Sequence, residues 1–421
     1  MLGAATLALF PAACGPPPGE GPVITFPGSS LGSEAQLVER QIARFTREHP
    51  GVRVVFQRTP DDATQRHQLY VQRLNARSDD PDVLQLDPIW TAEFAAAGWL
   101  LPLERFDPPL GSHFSATAAA SVWQGIPYAL PWFVDVGMLY WRTDLLPAAP
   151  ATLEELVTLA RQGMRGPRGP PRGLVWQGAR YEGLVTVFQE YLGAFGGEIL
   201  TDDGRVAVDS PAGVRALEFM RDQIHRYGIA PEAVLTWHEE EGRFAFQNGT
   251  AVLMRNWQYP YGLMNGPGSR VAGRFGVAPM PAAPGGKPTA ALGGSQLAVN
   301  ANSDVPDAAY ELIAYLTAPE QMLERAEAVG QFPTRAALYT DPRLAAAIPV
   351  PLDEARRIIE AAEPRPVTPI YTQLSEILQI HLHRALTRQR TPAAALREAQ
   401  AEMQQLLNRS GLGATGSRAA R

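Results

Sequence analysis

The chain has 421 residues, beyond the size at which a single hydrophobic core keeps growing, so its length predicts two domains. Its composition, 45% hydrophobic and 19% charged, is typical of a soluble globular protein, and a formal net charge of -6 argues against a nucleic-acid partner, which needs a basic face. No apolar run reaches the roughly 18 residues that a membrane-spanning helix needs.

The N-terminal segment carries the single cysteine of the chain, Cys14. It follows a short apolar start and precedes a Gly/Pro-rich linker that ends near residue 22. This arrangement is similar to a truncated bacterial lipoprotein signal in which Cys14 is lipidated, although Pro11 replaces the usual aliphatic residue and no basic segment precedes it. The alternative is an ordinary cysteine in a terminal tail. Lipidation predicts an exported protein, anchored on the outer face of the cytoplasmic membrane and therefore periplasmic or extracellular.

From residue 23 onward, short apolar strands alternate with amphipathic helices. The pattern predicts strands at 23–26, 52–56 and 83–86, with helices at 34–47 and 65–76 between them. Such a strand–helix–strand order favours a parallel sheet with right-handed crossovers.

Polar side chains follow each of these three strands. In parallel sheets, ligands bind beyond the carboxyl ends of the strands, so Glu34, Asp61, Arg66 and Asp87 are predicted to converge on one rim. Two of them also have ordinary explanations. Glu34 stands in the first turn of a helix, where the helix dipole favours a carboxylate, and Asp87 precedes a proline, as turn residues often do.

Two apolar strands that meet at Pro131 are predicted in the stretch Gly125–Leu146, GIPYALPWFVDVGMLYWRTDLL. Because proline cannot donate to a ladder, Pro131 predicts that one sheet ends here and another begins, which makes the joint a hinge. Asp135 and the neighbouring ring of Phe133 suit a polyol, since rings cover its apolar face and a carboxylate accepts from its hydroxyls. A core strand pair with a solvated aspartate explains the same residues equally well.

The second half of the chain continues the alternation. Strands are predicted at 174–177, 251–254, 275–278 and 296–299, and helices at 152–162, 183–195, 211–227, 239–248, 308–316, 319–329, 352–362, 371–386 and 392–407. Trp257, Tyr259 and Tyr261 follow one of these strands in a segment without a regular pattern, and exposed rings clustered in this way are more typical of binding than of packing. Gly293 and Gly294, before Ser295, predict a return crossing with a close backbone approach.

Motifs for several kinds of chemistry are absent from the sequence. It has no phosphate-binding GxxxxGK[ST] loop, no GxSxG nucleophile elbow, no HExxH and no Cys/His set with metal-ligand spacing, so neither a cofactor nor a metal is predicted. His381 and His383 point away from each other on a predicted helix. The run Glu239–Glu241 is most simply a solvated helix start.

Seven stretches, in this order along the chain, resemble the extracellular solute-binding proteins of ABC sugar importers, family 1, and in particular the trehalose/maltose-binding branch. The stretches are EHPGVRVVF (48–56), SDDPDVLQLDPIWTAEFAAAGWLLPL (78–103), YALPWFVDVGMLYWRTDLL (128–146), LVWQGARYEGL (174–184), FQNGTAVLMRNW (246–257), LGGSQLAV (292–299) and PRPVTPIYTQLSEILQ (364–379).

The resemblance implies an α/β, two-lobe periplasmic-binding-protein fold of class II, in which each lobe is a mostly parallel sheet flanked by helices. Hinge crossings join the lobes, which close over the ligand. The implied division is residues 1–22 for signal and linker, 23–130 with 292–341 for the first lobe, 135–291 with 349–408 for the second lobe, and 409–421 for a flexible tail.

The resemblance also implies the ligand contacts and the partners. The contacts are Glu34, Asp61, Arg66, Asp87, Phe133, Asp135, Trp257, Tyr259, Gly294, Ser295 and Arg365. Carboxylates would bind vicinal hydroxyls, the arginines would donate paired hydrogen bonds, and Trp257 would stack on a pyranose face. The implied protein is a monomeric, non-enzymatic receptor without a cofactor, whose partners are a sugar and the transmembrane subunits of an ABC permease.

Three positions depart from members that bind trehalose and maltose. Ser295 replaces a tryptophan, Phe133 replaces a tyrosine, and Asp61 replaces a small hydroxyl residue. An α-glucoside of disaccharide size remains the expected ligand, with trehalose first and maltose or a related sugar next. A polar osmolyte glycoside or another polyol stays open. So does a secreted glycoside hydrolase with Asp87 and Asp135 as its acid pair, although carboxylates on opposite sides of a hinge would be poorly preorganised.

Overall fold

The structure is a computed structural model that describes residues 21–29, 33–201 and 203–412. Cys14, and with it the predicted lipidation, lies outside the described residues, as does most of the predicted tail. The described part contains mixed β-sheets covered by helices, and the predicted two-lobe α/β class is confirmed.

The strands are short and lie mostly in two sheets. Their bounds are β1 Val23–Ser29, β2 Arg53–Thr59, β3 Val83–Leu86, β4 Val122–Trp123, β5 Ile126–Pro127, β6 Ala129–Val136, β7 Met138–Arg142, β8 Arg172–Val175, β9 Ala251–Asn256, β10 Phe275–Pro279, β11 Leu292–Val299 and β12 Phe332–Pro333.

The helices agree with the predicted positions to within a few residues, and four short ones were not predicted. Their bounds are α1 Glu34–Glu48, α2 Ala63–Asn75, α3 Thr91–Ala96, α4 Ser115–Ala119, α5 Leu153–Arg165, α6 Glu182–Ala194, α7 Pro211–His225, α8 Glu239–Gln247, α9 Pro260–Asn265, α10 Pro306–Leu316, α11 Pro319–Val329, α12 Pro342–Ala347, α13 Leu352–Ala361, α14 Tyr371–Leu386 and α15 Pro392–Arg409. The unpredicted ones are α3, α4, α9 and α12. In the described residues, no helix combines the length and apolar character needed to cross a membrane.

The first lobe contains the two-stranded sheet β1-β2 and the four-stranded first sheet, in the order β12-β6-β11-β3. The predicted parallel pairing of β1 with β2 is confirmed, and side chains tie β3 to β1. Asp82 Oδ2 accepts from the N–H of Thr25 (2.7 Å), and Gln85 Oε1 accepts from the N–H of Ser29 (2.7 Å). Strand β1 continues to Ser29, three residues beyond its predicted end, because its ladder with β2 extends through Pro27 and Gly28.

The second lobe is built on β7, β8, β9 and β10, in the order β10-β7-β9-β8. The expectation of mostly parallel sheets holds for β1 with β2 and β8 with β9, whereas every other ladder in the described residues is antiparallel. Strands β6 and β11 explain much of this difference. They carry the chain along the hinge in opposite directions, so they pair antiparallel with each other.

The predicted sheet break at Pro131 is wrong, because β6 runs through this residue from Ala129 to Val136. Pro131 is accommodated by an irregularity in the ladder with β11, between Ser295 and Gln296, where a missing N–H donor is tolerated. The chain passes from the first sheet to the second at Gly137. A Cβ at Gly137 would overlap the carboxylate of Glu190, so a larger residue at this crossing would have to displace a buried ion pair.

Helices cover both sheets with apolar faces, as their sequence patterns predict. Helix α1 buries Val38, Ile42 and Phe45 against β1 and β2. Helices α6, α7, α14 and α15 pack together beside the second sheet. Helix α13, which the sequence division assigns to the second lobe, contacts β6 and therefore lies beside the junction. The residue bounds of the lobes stay a prediction.

Candidate functional site

A cavity of about 100 Å³ lies between the lobes at the carboxyl ends of β1, β2 and β3. Ten of the eleven predicted contacts line it. They are Glu34, Asp61, Arg66, Asp87, Phe133, Asp135, Trp257, Gly294, Ser295 and Arg365. Tyr259 does not line this cavity. Whether these residues hold a ligand stays a prediction, but the structure brings them together.

Two residues of the first lobe reach the cavity from the segments that follow β2 and β3. Asp87 follows β3, and its Oδ1 accepts from the N–H of Ile89 (3.2 Å), which fixes the carboxylate at the start of a helical turn. Arg66 lies in the first turn of α2 and donates from Nη1 to the carbonyl oxygens of Pro60 (3.0 Å) and Asp61 (2.7 Å). The carboxyl-end rule therefore located these side chains correctly in space.

Glu34 begins α1, but it is not a solvated N-terminal carboxylate. It is buried, and Arg325 of α11 donates to it from Nη1 (2.9 Å). Burial raises the pKa of Glu34, and the charge of Arg325 opposes this increase. The guanidinium of Arg325 also lies 3.8 Å from the ring centroid of Trp132 and 4.9 Å from that of Phe133. Arg325 thus supports both a carboxylate and a ring of the first-lobe wall.

Asp135 lies near the end of β6, opposite Gly293 of β11. Its side chain is partly exposed on the cavity side, whereas Oδ1 is buried and has no hydrogen-bond partner in the described residues. Burial, followed by the negative charge of Glu34, raises the pKa of Asp135 to about 8. Burial therefore favours the protonated form of this carboxyl group, which can donate as well as accept.

The predicted close approach at the glycine pair is confirmed. Gly294 has φ +113°, and a Cβ there would overlap the carbonyl oxygen of Phe133, so only glycine fits. The next residue, Ser295, is buried, and its Oγ accepts from Nε2 of Gln85 (3.1 Å). This part of the wall is polar where a tryptophan would be apolar.

Trp257 is the aromatic face of the second-lobe wall. Its Nε1 donates to Glu239 Oε1 (3.4 Å), and the guanidinium of Arg255 lies 4.2 Å from its ring centroid. The reading of Glu239–Glu241 as a solvated helix start is wrong for Glu239, which lines the cavity. The first turn of α8 points this carboxylate at the indole.

The other two rings of the predicted aromatic cluster pack against the protein, away from the cavity. Tyr259 is buried and donates to Glu240 Oε1 (2.6 Å), and Tyr261 packs edge-on against Phe275 with ring centroids 5.6 Å apart. The expected irregular segment instead turns into α9, which begins at Pro260 and supplies the packing that the sequence pattern did not reveal.

Arg365 joins the two lobes directly. Its Nη2 and Nη1 donate to the two oxygens of Asp87 (2.6 and 3.3 Å), and Nη1 also donates to Glu182 Oε1 (2.9 Å). Although Arg365 is buried, the charges of Asp87 and Glu182 raise its pKa. Two predicted ligand contacts, Asp87 and Arg365, are therefore bound to each other across the cavity.

Sequence reasoning missed several residues of the cavity, notably Tyr181, Glu182, Thr186 and Gln331. Tyr181 and Glu182 follow β8, which runs parallel to β9, so the carboxyl-end rule could have found them had it been applied to the second lobe. Gln331 lies just beyond α11, and its proximity to the cavity depends on tertiary packing that no local pattern reports.

The lining suits a ligand rich in hydroxyl groups. Six carboxyl groups and two guanidinium groups face the cavity, together with an indole, a phenyl ring and the polar side chains of serine, threonine and glutamine. Such groups accept and donate at many points around a ring whose faces are apolar. Among the described residues, no group of three or more His, Cys, Asp or Glu side chains could hold a metal ion.

Known proteins resemble this chain over most of its length. A probable ABC transporter-binding protein of Deinococcus radiodurans is 36% identical over 364 residues, which cover 83% of this chain and 86% of the relative. The structure of maltose-bound T. maritima MalE3 is 42% identical with a TM-score of 0.87, over 91% of this chain and all of that one.

A solute-binding protein of Thermotoga lettingae, bound with α-D-tagatose, is 26% identical with a TM-score of 0.82, over 91% of this chain and 99% of that one. The family described as bacterial extracellular solute-binding protein matches residues 28–323, more than half of the chain. The Deinococcus radiodurans and Thermotoga lettingae proteins are described as binding proteins of ABC transporters, as the sequence resemblance implied. The chain therefore belongs to the bacterial extracellular solute-binding protein family.

Proposed function

We propose that the protein is the receptor of an ABC sugar importer and captures an α-glucoside of disaccharide size between its lobes. Trehalose is the first candidate, and maltose or a related sugar is the next. The observation that carries this proposal is the convergence of carboxylates, arginines and the Trp257 indole on one interlobe cavity. The similarity to a maltose-bound protein over nearly the whole chain supports the same ligand class.

Binding of such a sugar requires the lobes to separate first. The cavity holds about 100 Å³, below the roughly 300 Å³ at which pockets for small organic ligands begin. The ion pair between Asp87 and Arg365 crosses this space, so a ligand would exchange those bonds for its own. Each net polar contact contributes on the order of 1 kcal/mol, and several together give micromolar affinity.

We also propose that the protein is exported, anchored by lipidated Cys14, and delivers its ligand to a membrane permease as a monomer without catalysing a reaction. The hydrolase alternative would use Asp87 and Asp135. Both oxygens of Asp87 are bound by Arg365, which argues against a nucleophile or general base there. Incubation with aryl glucosides tests this point, because product release would support the enzyme and binding without product supports the receptor.

A polar osmolyte glycoside or another polyol is the second candidate ligand. The contact of Ser295 with Gln85 favours it, because a hydroxyl and an amide replace a stacking platform in this wall. On this alternative, Ser295→Trp would weaken binding of the native ligand, since the indole would occupy a small polar space. Tighter binding of that ligand by the variant would count against it.

The deciding experiment is a titration of intrinsic tryptophan fluorescence with trehalose, maltose, sucrose, glucosylglycerate and myo-inositol. Trp257 lines the cavity and Trp132 lies behind Phe133, so lobe closure should change the emission. A saturable change with an α-glucoside supports the proposal, and isothermal calorimetry provides a readout independent of any reporter. Trp257→Phe is the matched variant and should reduce the signal. No heat with any glucoside, from protein shown to be folded, would overturn the proposed ligand class.

A further inference from the structure

The rim of the cavity carries a second interlobe contact, between Asp62 and His238. Asp62 stands between Asp61 and Ala63, which both line the cavity from the first lobe. His238 precedes Glu239, which lines it from the second lobe. Nε2 of His238 lies 3.1 Å from Oδ2 of Asp62, so the two side chains meet across the edge of the cleft.

Both partners are held in place by their own lobes. Asp62 is the N-cap of α2, and its Oδ1 accepts from the N–H of Gln65 (2.9 Å), which leaves Oδ2 for the histidine. His238 is the N-cap residue of α8, where its N–H donates to Glu241 Oε2 (2.9 Å). Its imidazole packs on the Tyr181 ring, with centroids 4.4 Å apart. The contact therefore joins two fixed helix starts and forms only when the lobes approach.

We propose that Asp62 and His238 form a proton-dependent clasp that helps to hold the lobes closed. The clasp acts on the closing motion and not on a particular ligand, so it does not depend on which solute the cleft takes. It differs from the contact of Asp87 with Arg365 because it lies beside the cavity, where a bound solute need not displace it.

The charges around the imidazole all favour its protonated form. The hydrogen bond to Asp62 raises the pKa of His238, and the carboxylates of Glu239 and Glu241 on its own helix add to this effect. Burial acts against ionisation of Asp62, but its bonds to His238 and to the Gln65 N–H lower its pKa overall. Separation of the lobes removes the contact between the two residues and returns both groups toward their ordinary values.

The sign of the pH effect follows from these shifts. The pKa of His238 is higher in the closed form, so closure takes up a proton. The stabilisation of the closed form is complete below the ordinary pKa of histidine, near 6.5, and is lost as the pH rises through the raised value. Since the histidine is partly exposed, we expect about a threefold change in the closing equilibrium.

Spin labels measure closure without a ligand. The labels are placed at Arg47 of α1 and Glu154 of α5, both exposed and on different lobes, after Cys14 is replaced by serine. Double electron–electron resonance then gives the distance distribution between pH 5.5 and 8. As the pH falls from 8 to 5.5, the ratio of closed to open molecules, read from the shorter and longer distances, should increase in the wild-type background. We expect this increase to be about threefold larger than in Asp62→Asn or His238→Gln.

The chosen variants separate the clasp from other titrating groups. Asparagine keeps the N-cap of α2 while it removes the charge. Asp135 gives a pH effect of the same sign, but it is present in every variant and cancels in the comparison. The contact of His67 with Glu93, near Thr372 of the other lobe, is likewise unchanged in the variants. His49→Gln, at the far end of α1, is the matched control and should behave as wild type. An identical pH response in wild type, Asp62→Asn and His238→Gln would overturn the clasp.

Discussion

The two walls of the cleft use the same construction, an aromatic ring placed over a buried arginine–glutamate pair. In the first lobe, Phe133 covers Arg325, which binds Glu34. In the second lobe, Trp257 covers Arg255, which binds Glu190. All four charged side chains are almost completely removed from solvent.

The walls differ in how completely the arginine is bonded. Nε and Nη2 of Arg255 both donate to the carboxylate of Glu190, and Nη1 donates to Gln177 (3.1 Å). Arg325 uses only Nη1, toward Glu34 and Gln331, and its Nε and Nη2 are buried without a partner among the described residues. The arginine of the second wall is thus fully hydrogen-bonded. The first wall keeps unsatisfied polar groups, whose bonding can change when the cleft opens or fills.

The largest expected effect comes from breaking the ion pair between Arg255 and Glu190. Arg255→Met leaves Glu190 buried without a counter-charge, and such a change usually costs about 3–5 kcal/mol of unfolding free energy. Urea denaturation measures the loss. The double variant Arg255→Met/Glu190→Gln should recover part of it, because the uncompensated charge is gone. A single variant within 1 kcal/mol of wild type would mean that the second wall does not depend on this pair.

The equivalent change in the first wall should cost less. Arg325→Met removes the bonds to Glu34 and Gln331 and leaves Glu34 buried, but burial already raises the pKa of Glu34 and the change also removes two unsatisfied buried donors, so we expect a loss of about 2 kcal/mol in the same denaturation assay. Affinity for the sugar should fall as well, since Glu34 and Phe133 lose their support. Arg44→Met, which breaks a partly exposed pair with Glu324, is the control and should cost below about 1 kcal/mol. Equal losses for Arg325→Met and Arg255→Met would show that the two arginines contribute equally to stability, contrary to this prediction.

The sequence predicted the parts of this site that depend on strand direction and backbone geometry. Asp61 and Asp87 follow strands whose alternation with helices already implied a common edge. Gly294 was recognisable because a strand glycine next to a second glycine indicates a close approach. These features are local, and each can be read within about ten residues.

The features that the sequence did not predict depend on distant partners. Glu34 and Arg325 are 291 positions apart, so nothing near Glu34 distinguished an ion-paired carboxylate from a solvated helix start. Pro131 indicated a sheet break because its missing N–H was considered without the irregular ladder that accommodates it. Tyr259 was expected to be exposed because the short helix α9 has no amphipathic repeat from which the helix could be predicted.

Asp135, near the end of β6, carries a further unsatisfied group of the cleft, its acceptor Oδ1, and gives a pH dependence of its own. Because the pKa of Asp135 is raised to about 8 in the folded protein, its contribution is complete below the ordinary value near 3.8 and is lost as the pH rises toward 8. The carboxylate faces the cavity, so we expect wild type to lose on the order of 1–2 kcal/mol relative to Asp135→Asn between pH 5 and pH 8. Urea unfolding at both pH values measures it.

Asp144→Asn is the matched control for that experiment. The hydrogen bonds from Arg142 lower the pKa of Asp144, so its contribution is present above the ordinary value and is lost only as the pH falls into the acid range. The difference between wild type and Asp144→Asn should therefore stay constant from pH 5 to pH 8. A constant difference for Asp135→Asn as well would show that burial does not raise the pKa of Asp135.

The smallest expected effect concerns the rings themselves. Trp257 has a polar N–H that reaches Glu239, whereas Phe133 has no polar atom, so the two faces of the cleft differ by one hydrogen-bonding group. Phe133→Tyr adds a hydroxyl beside the cavity, and we expect it to tighten binding of trehalose or maltose about threefold, or about 0.7 kcal/mol by calorimetry. Phe106→Tyr, in a ring stacked on Tyr310 outside the cavity, should change nothing. Weaker binding by Phe133→Tyr would indicate that the apolar ring, packed on Arg325, is itself what selects the ligand.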